Sequence, residues 1–238
     1  LPHTPELTDF IKGLELLISP NGVIVIQFSA YLIPLIKNGQ FDHIYHEHFS
    51  YFSLTTIKQI LKKFKLEIID VEELNVHGGS LRLYIKKIGQ TKKESKNVKK
   101  LLNKEKEFGI TKKETYRNFQ NQILEKKISI WKFFSVAKKE KKKIACYGAP
   151  AKGNTMLNYC QIGKDFINFT VDKNPAKQGK LLPGTHIPIF NLKKINEFKP
   201  DYLVILPWNL KEEIVEEMKY IRKWGGKFVV LSPKVKIF

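Results

Sequence analysis

The stretch IACYGAPAKGNTMLNYC, residues 144–160, decides the fold of the second part of the chain. A short apolar run at 144–147 is joined to a helical pattern at 155–160 by a loop of mostly small residues, 148–154. An apolar run bounded by turn residues is typical of a buried strand, and strands that alternate with helices indicate a parallel sheet. The alternation continues with strands at 166–172, 201–206 and 227–231 and a helix at 210–224. Residues 143–238 are therefore predicted to form a Rossmann-like α/β domain.

Residues 1–90 also alternate between helices and strands. Helical spacing of apolar residues predicts helices at 6–17 and 54–64, the second capped by Ser53 or Thr55. The β-branched run at 22–28 predicts a buried parallel strand. Two further strands, at 66–71 and 80–86, are expected to pair like a hairpin at the sheet edge. This order is that of the second half of a doubly wound α/β domain, and the Lys-rich residues 91–142 predict a helical connector after it.

The 238 residues carry a formal charge of +19, which favours binding to nucleic acid. The lysines are spread over predicted solvent faces and do not alternate with aromatic residues, so we expect no specific nucleic-acid site. No apolar run approaches the roughly 20 residues that cross a bilayer. With only two cysteines, Cys146 and Cys160, a soluble protein of the reducing cytoplasm is expected. The first residue is Leu1 rather than methionine, and we expect further sequence upstream.

The run FDHIYHEHFSYF, residues 41–52, holds the densest group of ionisable side chains. It lies between a predicted strand and a predicted helix, where open α/β sheets bind ligands. Imidazoles and carboxylates can ligate zinc, but His43, His46 and His48 lack the i and i+4 spacing of a helical pair. One histidine could instead act as a general base, oriented or charged by its neighbours. The third interpretation is a group of hydrogen-bonded side chains without a catalytic role.

Three further motifs combine turn residues with charged side chains. The small residues from Gly148 onward let an anion approach a helix N-terminus, or else form a tight turn with a solvated Lys152. Asp172, at the end of the next strand, fits a ribose contact or the cap of a turn. Arg82, after two glycines, fits an anion contact or a surface position. The three spaced glycines of a dinucleotide fingerprint are missing, which disfavours a nicotinamide-dependent oxidoreductase.

Four motifs in order along the chain carry a resemblance to a known family. They are YHEHFSYFS at 45–53, HGGSLR at 77–82, YGAPAKGNT at 147–155, and DKNPAKQG at 172–179 followed by PGTHIP at 183–188. Together they resemble the S-adenosylmethionine-dependent nucleotide-sugar C-methyltransferases. The resemblance covers nearly the whole chain and is weakest in the Lys-rich connector.

The family implies three domains, of which this chain matches the later parts. Residues 1–90 resemble the second half of a class I methyltransferase sheet, and 143–238 resemble the Rossmann-like carboxyl-terminal domain. The amino-terminal zinc domain and the Gly-rich loop that binds S-adenosylmethionine are absent from this sequence. The implied reaction is methyl transfer to a carbon of a nucleotide-linked keto-deoxysugar. The alternative is a truncated, non-catalytic fragment that binds the sugar nucleotide, and the fragment alone is expected to be inactive.

The resemblance also assigns roles to residues. His48 is the implied base, with Tyr45 and Glu47 orienting the substrate or stabilising charge, and no metal is assigned to this chain. His3 resembles the histidine that lies near the methyl donor. The sugar, the methylated carbon, the nucleotide base and the oligomeric state stay open. The implied substrate contacts are His3, His46, Arg82, Gly148, Lys152, Asn154, Asp172 and Lys177.

Overall fold

The computed structural model describes residues 1–90 and 94–238. The described chain folds as two compact units. Unit 1 comprises Leu1–Asn38 and His46–Phe119, and unit 2 comprises Gly39–Tyr45 and Gln120–Phe238. The region predicted as a connector, 91–142, is divided between the two units, and its predicted start lies outside the described residues. Because the short range Gly39–Tyr45 joins unit 2, the His-rich run at 41–52 is also divided between them.

The described residues of unit 1 form a three-stranded antiparallel sheet and four complete α-helices. The sheet order is β1-β3-β2, so β3 is central. Along β3, Leu81, Leu83 and Ile85 are fully buried while the side chains between them lie on the other face, which confirms the predicted alternation. The elements are α1 (Leu7–Leu17), β1 (Ile24–Ser29), α2 (Leu32–Lys37), α3 (Leu54–Lys63), β2 (Leu66–Leu74), β3 (Ser80–Lys87) and α4 (Lys96–Phe108).

The prediction of a parallel, doubly covered strand at 22–28 was wrong. In the structure β1 pairs antiparallel with β3, and no second strand is paired with it in the described part of the chain. Val23 and Val25 are about half exposed. The apolar run misled because a strand buried on both faces and an edge strand with one open face can share the same β-branched composition.

The start of α3 confirms a predicted cap. Ser53 has extended backbone angles, and its Oγ accepts a hydrogen bond from the Thr56 amide at 3.0 Å. Ser53, rather than Thr55, is thus the N-cap residue.

Unit 2 is a doubly wound α/β sheet. Its strand order is β6-β5-β4-β7-β8-β9, with the first five strands parallel and β9 antiparallel. The chain starts at β4, moves outward to β6, and then returns to the other side of β4 through β7. This order is Rossmann-like and confirms the predicted fold class. The elements are β4 (Ile144–Tyr147), α6 (Ala151–Cys160), β5 (Phe169–Val171), β6 (Ile189–Phe190), α7 (Lys193–Phe198), β7 (Tyr202–Ile205), α8 (Lys211–Glu217), β8 (Lys227–Val230) and β9 (Lys236–Ile237).

Two helices differ from their predicted bounds. Helix α6 begins at Ala151, four residues before the predicted start, because Pro150 provides an extended N-cap and the next residues continue as helix. Lys152 and Asn154 therefore lie on the first turn of a helix rather than in a loop. The predicted helix at 210–224 is split into α8 and a 3₁₀ helix, Lys219–Trp224. The long helix α5 (Lys113–Lys139) spans the boundary between the units in sequence.

Candidate functional site

Two of the histidines singled out in the sequence lie together in unit 1. The rings of His3 and His48 have centroids 4.7 Å apart and meet edge to face, and the ring of Tyr51 lies 5.9 Å from His48. The Phe49 amide donates to the Pro2 carbonyl at 2.9 Å, which fixes the two backbone segments side by side. Residues 45 positions apart in sequence therefore form one local cluster.

His48 differs from its sequence neighbours in solvent exposure. The side chain of His48 is buried, with 7% of its surface exposed, whereas His46 and Glu47 are exposed, with His46 Nε2 3.9 Å from a Glu47 carboxylate oxygen. A contact of this kind between exposed side chains contributes little to stability. His48 is thus the histidine of the His46–His48 run whose ring orientation is fixed by packing. Tyr45 belongs to unit 2 and is half-buried.

A metal site was one interpretation of the His-rich run. Over residues 1–90 and 94–238, no three His, Cys, Asp or Glu side chains are grouped so that they could hold a metal ion.

Arg82 is held by neighbours within the sheet of unit 1. Its guanidinium donates to Gln27 on β1 at 2.8 and 3.2 Å and to the Glu72 carboxylate on β2 at 3.0 Å. These contacts tie all three strands together and correspond to the surface position weighed from the sequence. A contact between Arg82 and substrate stays a prediction.

Both glycines at positions 78 and 79 have a positive φ, which is +85° at Gly78. Gly79 has φ +126°, and a Cβ at this position would lie 2.3 Å from the Cγ of Pro34. Only glycine fits such a backbone angle next to the proline ring. The motif is therefore a turn that enters β3.

In unit 2, the strand order reverses between β4 and β7, which is where open α/β sheets bind ligands. The two glycines after β4 pack against the residues that follow β7. A Cβ on Gly148, which has φ +90°, would lie 2.7 Å from Pro207 Cδ, and a Cβ on Gly153 would lie 2.6 Å from Leu206 Cβ. The small residues of this motif thus allow a close approach of α6 to β7. Anion binding by the same turn stays a prediction.

Lys152 lies on the first turn of α6, at this reversal point. Its ammonium is 5.7 Å from the centre of the Trp208 ring, which allows a cation–π attraction. Burial lowers the pKa of Lys152, and the nearby negative charge of Asp42 opposes that shift. A half-buried cation at the start of a helix suits a bound phosphate group. The side-chain oxygen Oδ1 of Asn154 is also buried here, without a hydrogen-bond partner in the described part of the chain.

Asp42 is a residue that the sequence analysis did not select. Its side chain is fully buried, and its Oδ2 accepts a hydrogen bond from the indole Nε1 of Trp208 at 2.7 Å. Burial raises the pKa of this carboxyl, and the Trp208 hydrogen bond and the charges of Lys152 and Lys126 oppose the shift. Asp42 lies at the start of the His-rich run, but its hydrogen-bond partner Trp208 is 166 residues away in sequence. The sequence alone therefore does not reveal the partner of this acid.

Asp172 and Lys177 join two turns at the carboxyl ends of β4 and β5. The Asp172 carboxylate accepts from the amides of Ala149 at 2.7 Å and Asn174 at 2.8 Å. Lys177 donates to the Ala149 carbonyl at 2.8 Å and lies 3.6 Å from the Asp172 carboxylate. These bonds are those of a turn cap, one of the two interpretations of Asp172. Contacts of either residue with a nucleoside stay predictions.

The architecture of unit 2 and the motifs around it define a family. The chain belongs to the family described as C-methyltransferase C-terminal domain, whose model matches residues 75–233. Among known proteins, it is similar to C-methyltransferase NovU of Streptomyces niveus, with 34% identity over 235 residues. That alignment covers 99% of this chain and 56% of the relative, so the chain spans about half the length of the curated relative it matches. Membership of a C-methyltransferase family, predicted from the four sequence motifs, is confirmed.

No helix in the described ranges is both long and apolar enough to cross a bilayer.

Proposed function

We propose that this chain is the part of a C-methyltransferase that carries the catalytic base and binds the acceptor, a nucleotide-linked keto-deoxysugar. The observation that carries the proposal is the buried ring of His48, which lies 4.7 Å from the ring of the exposed His3, in a chain of the C-methyltransferase family. A side chain that removes a proton from carbon must be held in one orientation, and packing of this kind supports such a role for His48.

The proposed reaction begins with proton transfer to His48. Its neutral imidazole takes the proton from the carbon next to the keto group, and the C–H electrons shift towards the keto oxygen. This transfer is feasible only if donors stabilise the oxygen as its charge develops, a role for which Tyr45 is suited. Glu47 orients the substrate or balances the charge on the imidazolium. When bound, S-adenosylmethionine would supply the methyl group to this carbon, with S-adenosylhomocysteine as the leaving group.

The methyl donor is not assigned to residues of this chain. Its sequence holds no strand followed by a Gly-rich loop and a helix of the kind that the family resemblance implies for donor binding. His3 is the residue of this chain that we propose to lie near the methyl donor.

Unit 2 is proposed to hold the nucleotide part of the acceptor. Lys152 and the first-turn amides of α6 are suited to the diphosphate, together with Gly148 and Asn154. Asp172 and Lys177 are proposed to lie near the nucleoside, in addition to capping the turns. Arg82 and His46 of unit 1 are proposed as further substrate contacts.

Replacement of the base tests the proposed reaction. In the protein that transfers the methyl group, His48→Asn is expected to lower kcat at least about 100-fold, because general base catalysis contributes about that much. Binding of the sugar nucleotide, measured by calorimetry, is expected to stay unchanged. His186→Asn serves as a control, since this exposed histidine has φ +53°, which asparagine tolerates. Full methyl transfer by the His48→Asn protein would contradict the role of His48.

A further inference from the structure

The segment Gly39–Tyr45 is held by unit 2, although the chain on both sides of it belongs to unit 1. Within it, the 3₁₀ turn Phe41–His43 is buried at every residue, with 4% or less of each side chain exposed. Burial of three consecutive side chains, two of them polar, requires specific partners.

Three elements of unit 2 supply these partners. From α5, the Lys126 ammonium donates to the Gly39 carbonyl at 2.6 Å. From α6, the ring of Tyr159 lies 4.8 Å from the ring of Phe41. After β7, the indole of Trp208 donates to Asp42. The segment is thus fixed at its start and at its centre by contacts that do not depend on one another.

Of the three buried side chains in this turn, the carboxylate of Asp42 is the least favourable to bury. Moving a carboxylate out of water is unfavourable, and an apolar side chain of similar size would fill the same space without that cost. The acid is compensated by the Trp208 hydrogen bond and by two nearby lysines, Lys152 and Lys126. A directional bond to a rigid indole fixes the orientation of the turn in a way that apolar packing does not.

The segment leads directly into a residue of the proposed mechanism. Asp42 is three positions before Tyr45, and the intervening amides of His43 and Ile44 are bonded inside the turn, to the carbonyls of Gln40 at 3.1 Å and Phe41 at 2.9 Å. We propose that Asp42 and Trp208 are positioning residues that fix the Gly39–Tyr45 segment and thereby place Tyr45 for the reaction. The inference rests on the proposed function, since it gives Tyr45 a role in that reaction.

Amide hydrogen exchange of the 238-residue chain tests the anchoring. Trp208→Phe removes the indole N–H and keeps an aromatic ring, and it is expected to speed exchange at His43 and Ile44 about tenfold. Trp131→Phe is the matched control, because it removes an indole hydrogen bond to the Cys160 carbonyl, 2.6 Å long, elsewhere in unit 2. Equal exchange at these two amides in both variants would overturn the proposal.

A second pair of variants separates the hydrogen bond from side-chain volume. Asp42→Asn retains an acceptor for the indole, whereas Asp42→Leu removes it at similar size. Exchange at His43 and Ile44 is expected to stay near that of the wild type in Asp42→Asn and to rise in Asp42→Leu. A rise of the same size in both variants would contradict the role given to the hydrogen bond.

Turnover in the methyl-transferring protein tests the positioning. Trp208→Phe is expected to lower kcat about tenfold and leave the KM for the sugar nucleotide within twofold, because a misplaced group slows the chemical step more than it weakens binding. Trp131→Phe is expected to change neither. Faster exchange with unchanged kcat would overturn the positioning role. If the wild type transfers no methyl group, the proposed function fails, while the exchange measurements still decide whether Asp42 and Trp208 anchor the segment.

Discussion

A buried glutamate holds the start of α3 in unit 1. Glu105, on α4, is fully buried and accepts hydrogen bonds from the amides of Leu54 at 2.6 Å and Thr55 at 2.8 Å, and from the Thr55 hydroxyl at 2.5 Å. A carboxylate at a helix N-terminus satisfies amides that the helix leaves unpaired and complements its dipole. Glu105 therefore caps α3 from another helix, in addition to the local cap by Ser53.

We expect Glu105→Gln to lower the free energy of unfolding by about 2 kcal/mol, because an amide replaces a charged acceptor with a group that offers only one oxygen. The change is measurable by urea denaturation. Glu107→Gln, at an exposed position of the same helix, is the control and should stay within about 0.5 kcal/mol of the wild type. Equal effects of the two substitutions would show that the hydrogen bonds of Glu105 do not stabilise α3.

A buried lysine in unit 2 makes stability depend on pH. Burial lowers the pKa of Lys126 to about 8 from 10.5, and the charges of Asp42 and Cys160 partly oppose the shift. Between these two values the folded state holds fewer protons than the unfolded state, so unfolding takes up a proton. The free energy of unfolding is therefore expected to rise with pH in this window and to be lowest, as far as Lys126 contributes, below pH 8.

This dependence can be isolated by substitution. Relative to Lys126→Met, the wild type is expected to gain stability by up to about 1.4 kcal/mol per pH unit from pH 8 to 10.5, since one proton is taken up on unfolding. Denaturation curves of both proteins at several pH values give the difference. Lys132→Met, at an exposed site of the same helix, should follow the wild type. If the free energy of unfolding changed with pH in the same way in the wild type and in Lys126→Met, the lowered pKa of Lys126 would be contradicted.

The sequence could identify some of the site residues and not others. His48 stood out because its neighbours in sequence are also ionisable, and its motif matched the family. Asp42 could not be selected in this way, because its burial and its partner Trp208 depend on the fold of unit 2. In the same way, the sequence left two interpretations of Arg82 open, and only the neighbouring strands reveal the contacts of its guanidinium.

Among the elements, α6 lies very close to Leu206, the residue that follows β7, at the position of Gly153. Gly153 lies in the first half of α6, where alanine would ordinarily stabilise a helix. A Cβ there would lie 2.6 Å from Leu206 Cβ, so the helix would have to move away from the strand.

We expect Gly153→Ala to lower the free energy of unfolding by about 1–3 kcal/mol, the usual cost of overpacking. Gly163→Ala is the control in the same unit, because the nearest atom to its added Cβ would be the Thr185 carbonyl oxygen at 3.9 Å. Guanidinium denaturation of both variants measures the difference. A neutral or stabilising Gly153→Ala would mean that α6 can shift, and that this glycine is not needed for packing.

Long periodic elements and turn chemistry could be predicted from sequence, whereas strand partners could not. The helices at α1 and α3 and the pair β2–β3 were predicted close to their observed bounds, because each has a clear apolar period. The partner of β1 depends on which strand lies next to it in space, and local composition does not contain that information. The early start of α6 was missed because Gly153 is a poor helix former.

At the scale of the whole molecule, the sequence predicted two α/β parts and the family, but not the boundary between the units. The seven residues of Gly39–Tyr45 join unit 2 through contacts with residues far along the chain, and no feature of the local sequence indicates this. The formal charge of +19 is a property of the whole chain and is not concentrated in one motif.

The acceptor-binding role of this chain is tested most directly by calorimetric titration of the 238-residue protein with a thymidine diphosphate sugar. We predict saturable binding that Lys152→Met weakens about tenfold and that Lys164→Met, at an exposed position, leaves unchanged. Absence of binding by a chain that circular dichroism shows to be folded, or equal binding by both variants, would contradict the proposed site in unit 2.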